Sequence, residues 1–191
     1  MRYKIIVGVL VLALAISLGF NVHYYSGMVD KQAMINDMRG HITVAWARQM
    51  SVVSYYLQNA TTNIDVALGR ELLWSAESIV RSAWISDGDL YFQMLYTASI
   101  VSYDFSPYSE GFPTFVKHIN STAIEMIKNL AQRIFDTARL ILNLQFDLTR
   151  REGGDPIQLL KEKGVLDSVI NGCAEIQNLS TQIYDFNPKF Q

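Results

Sequence analysis

His23, His41, His118 and Cys173 are the side chains of this chain best suited to metal ligation or nucleophilic attack. The three histidines are far apart, and no His-x₃-His or His-Glu-x₂-His arrangement occurs. Zinc requires nitrogen and sulfur ligands placed close together, so the sequence offers no metal site. The single cysteine excludes an intramolecular disulfide. Cys173 falls on a helical stripe with Leu166, Val169, Ile176 and Ile183, with Leu179 beside them, and reads there as a small buried hydrophobe. No Gly-x-Ser-x-Gly, no glycine-rich phosphate loop and no suggestively spaced Cys-His pair is present.

The carboxylates give no better centre. Glu71 and Glu77 are six residues apart and do not share a tight helical face. Glu125, Asp136 and Asp147 recur every eleven residues, with Lys128, Arg139 and Arg150 each three positions later. This is a ladder of i,i+3 ion pairs and marks a solvated stripe. Asp87-Gly88-Asp89 lacks the further spaced acids and closing Glu of a calcium loop, and reads as a helix cap or kink. No catalytic, cofactor or metal residue is therefore expected, and the chain is not read as an enzyme. Three glycosylation sequons occur, at Asn59, Asn120 and Asn178, and Asn59 is expected at an exposed outer tip.

The elements explain more than the chemistry does. Residues 5–20 carry no charge, follow Arg2 and Lys4, and precede Asn21, Val22, His23, Tyr24 and Tyr25. Crossing a ~30 Å hydrocarbon core takes roughly 20 mostly apolar residues, and 3–22 meets that length. Basic residues stay on the cytoplasmic side and Tyr favours the headgroup layer, so the N-terminus is expected inside and the rest outside. A cleaved signal peptide is the rival reading. Its only small-x-small pair, Ala13-Leu14-Ala15, lies within the apolar run, and cutting there would leave a greasy new N-terminus. A signal-anchor over 1–22 is preferred, with 23–191 as one extracytoplasmic domain of adequate length for a core. No Cys directly follows the run, so a lipoprotein anchor is not supported.

Setting aside Arg2 and Lys4 leaves 14 basic against 18 acidic residues, which argues against a nucleic-acid partner. Half the residues are hydrophobic, so the chain is expected to fold. The first helix is expected to run from the anchor to Asn59, with Tyr25, Met28, Ile35, Ile42, Ala45, Val52 or Val53 and Tyr56 as its apolar stripe and weak points at Gly27 and Gly40. A second spans 63–104, kinked or broken at Gly88. The stretch 104–113 is the clearest loop, holding two prolines and the rings of Phe105, Tyr108 and Phe112. A third helix over 114–152 has two adjoining apolar stripes, which include Leu130, Ile134 and Ile141 in one and Ala131, Ala138 and Phe146 in the other. Gly153-Gly154-Asp155-Pro156 starts a fourth, with a bend at Gly164.

These lengths predict an all-α architecture: a transmembrane helix continuing into an antiparallel up-down four-helix bundle. In that topology the loop 104–113 and the tail 185–191 return to the bilayer. Tyr24, Tyr25, Phe105, Tyr108, Phe112, Phe186 and Phe190 would then form a membrane-proximal contact surface, or plug the end of the bundle. The expected function is an anchored interaction or scaffold module, with the bilayer and a membrane or cell-surface protein, or a second copy, as partners. The alternative is a sensory or ligand-binding bundle that signals through a partner, by analogy of fold alone.

Overall fold

The computed structural model describes residues 2–59, 74–78, 89–104, 121–150 and 154–185, with backbone only for 2–15, 89, 102–104, 121, 123 and 184. The described residues form six named helices and a short helical stretch at 74–78, with no strand among them. The named helices are α1 (Arg2–Gln58), α2 (Asp89–Asp104), α3 (Ser121–Leu142), α4 (Gln145–Leu148), α5 (Pro156–Glu162) and α6 (Leu166–Tyr184). The all-α expectation holds.

Two starts follow from local chemistry. Asp155 caps α5 by accepting from the Ile157 amide at 3.1 Å, and Pro156 occupies the first helical position, where no N–H is needed. Gly164 adopts φ 67°, the left-handed turn that lets the chain leave α5 and begin α6. Both features stand where the sequence puts them.

α1 is one unbroken helix of 57 residues, about 85 Å long at 1.5 Å per residue. Gly27 and Gly40 do not break it. Gly40 instead marks a close approach, because a Cβ there would overlap the Leu148 carbonyl. From this point onward α1 enters the core through Thr43, Val44, Trp46, Ala47, Met50, Val53, Ser54 and Leu57, all buried. That face is rotated from the expected one. Tyr25, Met28 and Ile35 are exposed, as are Val52 and Tyr56, while Trp46, Met50 and Leu57 are inside.

α3 supplies the opposing wall with Ile127, Leu130, Ala131, Ile134, Ala138 and Ile141. It ends at Leu142, and a short turn leads into α4, where Leu148 is buried but Phe146 is 69% exposed. Phe146 was expected on the apolar face. The turn at Asn143 and Leu144 changes the phase, and the Arg150 guanidinium lies over its ring at 5.0 Å. The expected ion-pair ladder is replaced too: Asp136 accepts from Gln132 at 3.0 Å, and Asp147 meets Lys163 at 4.0 Å. α6 completes this side with Val169, Cys173, Ile176, Ser180 and Ile183 buried. Cys173 is a core residue, as its spacing implies.

Helix directions follow from paired residues. Gly40 meets Leu148, Arg48 donates to Gln145 and Gln58 donates to Gln132, so α3 and α4 run antiparallel to α1. Arg133 pairs with Glu175, and Thr137 abuts Gly172, so α6 runs antiparallel to α3 and along α1. Tyr91 of α2 bonds Thr43 of α1, whereas Thr97 bonds Gln177, farther along the bundle. α2 therefore also rises with α1. The expected directions of the second helix over 89–104, of the third and of the fourth are all reversed. The ends Asp104, Ser121 and Tyr184 lie towards Gln58, not towards Tyr25, about 50 Å earlier along α1.

Candidate functional site: the projecting part of α1 and the α3–α6 cleft

The bundle's lower limit is Gly40, since α4 and Pro156 of α5 meet α1 there and no buried residue precedes it among the described ones. Residues 16–38 of α1 accordingly project. Their side chains are apolar to a degree unusual for solvent: Leu18, Phe20, Val22, Tyr24, Tyr25, Met28, Val29, Met34, Ile35 and Met38 are all exposed. Tyr24 and Tyr25 are each 71% exposed. Single exposed apolar side chains need no explanation, but a contiguous patch marks a contact surface.

Tyr24 and Tyr25 stand on the projecting helix. Phe105, Tyr108, Phe112, Phe186 and Phe190 lie outside the described residues, and the helix ends leading to them are at the opposite end of the bundle. What the sequence reading passed over is Val22, Val29, Met34 and Met38, because an apolar stripe continuing from an anchor reads equally well as core.

The polar chemistry sits elsewhere. A cleft of about 480 Å³ between α3 and α6 is lined by Arg133, Asp136, Thr137, Leu140, Ser168, Asn171 and Glu175. Gly172 allows its floor to close, since Thr137 would overlap any Cβ there. Arg133 pairs with Glu175 across the cleft, while its Nε is buried without a hydrogen-bond partner. Among the described residues two ionisable groups are strongly perturbed, and both are core. Burial pushes the Tyr91 hydroxyl up to about 12, although the Thr43 hydrogen bond and the Arg39 charge act against it. Burial likewise lifts the Cys173 thiol to about 11, opposed by a hydrogen bond with Thr97. A thiol so protonated is a poor nucleophile and a poor ligand.

His41 lies 3.7 Å from Asp37 on the surface of α1, and His23 is exposed. His118 is outside the described residues, as are Asp87, Gly88 and Glu71. Among the described residues no three His, Cys, Asp or Glu side chains gather as a metal site. Of the sequons, Asn59 is exposed at the end of α1, with its amide donating to the Tyr55 carbonyl at 2.7 Å. Asn178 is exposed on α6 beside a buried Ser180, and Asn120 is outside the described residues. Among the described residues no helix is long and apolar enough to cross a membrane. Of the apolar run 5–20, the first eleven residues have only their backbone described. No protein-family model, curated protein or solved structure matches the chain.

Proposed function

We propose that the protein is a membrane-anchored interaction module: residues 1–22 hold it in the bilayer with the N-terminus cytoplasmic, and its helical domain makes protein contacts outside, close to the membrane. The observation that carries this reading is the exposed apolar surface of α1 over 16–38. The uncharged run 5–20, preceded by Arg2 and Lys4, belongs to the same unbroken helix. With 3–22 in the hydrocarbon, Tyr24 and Tyr25 fall at the headgroup layer, which suits rings with one apolar and one polar edge. Met28 to Met38 then stand just above the lipid, where a neighbour reaches them. The contact surface is thus the projecting helix and not the loop 104–113.

The test is fractionation with protease protection. The full chain is expected to stay with membranes after an alkaline wash and to be cleaved only by protease added from outside. Release of the protein by the wash, or a mature N-terminus at Ile16, sinks the anchor.

The α3–α6 cleft favours a second reading, a ligand-binding bundle that signals through a partner. Arg133 with Asp136 and Glu175 suits a small zwitterion, with Asn171 as an amide contact. A panel of free amino acids is expected to raise the melting midpoint of the wild type but not of Asn171→Leu. No rise with any of them removes this reading.

A further inference from the structure

The bare face of α1 has a register. Counting by sevens, Leu18, Tyr25, Gln32 and Arg39 occupy one position of the heptad, and Asn21, Met28, Ile35 and Ile42 another three residues on. Val22, Val29 and Asn36 flank them. The opposite position holds His23, Asp30 and Asp37, all polar. The same sevenfold count reaches Trp46 and Val53, which are fully buried. The flanking position reaches Thr43, Met50 and Leu57, also buried, whereas the Met28 position reaches exposed Tyr56 and the opposite one buried Val44, so the bare side continues the core side in part. Carried back towards the N-terminus, the register reads Val7, Gly8, Val11, Leu14 and Ala15, apolar or small throughout.

We infer that this seam is covered by α1 of a second copy of the chain, lying parallel and in register. The inference rests on the anchoring proposed above. Three features select a second copy over an unlike partner. Copies held in one membrane in one orientation present identical seams at the same height, so their effective concentration is high. Between Leu18 and Asn36 the seam carries no charge, and Asn21, Gln32 and Asn36 on it are all amides. An amide is at once donor and acceptor and pairs with its own copy across a two-fold axis, whereas a charge there would repel itself. Gln32 also donates to Asn36 at 3.0 Å within one helix, forming a polar layer ready to fix the register. The aspartates that would repel between copies, Asp30 and Asp37, face away.

The experiment is cysteine crosslinking of the full chain in native membranes, with Cys173 left in place because it is buried. Met28→Cys puts a thiol on the seam and Asp30→Cys puts one opposite. A disulfide forms only when the Cα atoms approach within about 7 Å, so the first is expected to give dimer and the second almost none. Adding Gln32→Asp to Met28→Cys is expected to cut the dimer at least about tenfold, a 1.4 kcal/mol effect by the usual conversion, while Gln32→Leu keeps it. Absence of dimer from Met28→Cys in alkaline-washed membranes overturns the pairing and leaves the anchor standing. So does equal crosslinking at positions 28 and 30, or capture of an unlike protein in place of the second copy. Release of the chain by the wash overturns the anchor, and sedimentation of the released chain then decides the pairing. A monomer refutes it, whereas a dimer lost in Gln32→Asp upholds it.

Discussion

Gly40 and Gly172 are ordinary helical glycines in the sequence, yet each sits where two helices touch most closely. A methyl group on Gly40 runs into the Leu148 carbonyl, which is backbone and cannot turn aside. Gly40→Ala is therefore expected to cost about 1–3 kcal/mol, read as a lower urea midpoint at unchanged slope. On Gly172 the obstacle is the Thr137 side chain, so Gly172→Ala should be destabilising alone and largely rescued by Thr137→Ala. If the double mutant is no better than the single, the helices are held apart by something else. The sequence shows neither role, because a glycine's task depends on what faces it. By contrast, the Asp155 cap and buried Cys173 were legible, since a cap and an apolar spacing are local facts.

Tyr91 and Cys173 also set a pH dependence. Both are neutral at pH 7, and burial lifts their ionisation to about 12 and about 11, above the ordinary 10.0 and 9.0. The unfolded chain loses these protons first, so unfolding binds fewer protons than the native state and stability falls as pH rises. Their contribution is full below pH 9 and is lost progressively towards pH 12. Urea midpoints measured from pH 7 to 11 are expected to stay level and then drop, with a shallower drop for Tyr91→Phe. An unchanged drop in that variant would mean that other groups set the dependence.

At the scale of elements, legibility tracked amphipathicity. α3 has a strong one-sided pattern, and its expected stripe is its buried face through Ile141. Ile134, with no exposed surface, stands at its middle. Ile134→Asp is expected to abolish the helical circular-dichroism signal at room temperature, because an unpaired buried carboxylate costs several kcal/mol. Phe146→Ser, past the turn, should change the melting midpoint little, since the ring is largely exposed and carries the Arg150 guanidinium on its face. An equal loss in both would mean that α4 is more deeply packed than its exposure implies. α1 was harder to read. Its apolar residues are spread around the helix, so the sequence alone could not say which side is core or that residues 16–38 include no fully buried side chain. Spacing also cannot give direction: two helices of the same period read alike whether they run up or down, which is why the order of α3 and α6 was reversed.

At the scale of the whole molecule, α1 divides at Gly40 into a projecting part and a packed part. Above Gly40, α1 is a wall of the bundle, tied to α3 by Gln58–Gln132 and to α2 by Thr43–Tyr91. Below it, no residue of 16–38 is fully buried. Folding of the domain should then be independent of the projecting part, because the interactions that pay the conformational entropy all lie beyond residue 39. Removing residues 1–38 is expected to leave the melting midpoint within about 2 °C of the full chain in detergent, a difference well under 1 kcal/mol for a domain of this size. The shortened protein should be monomeric in sedimentation and should not pellet with membranes. Early melting would show that the projecting helix props up the bundle. Its exposed apolar face would then belong to the core of a larger assembly that cannot fold one chain at a time.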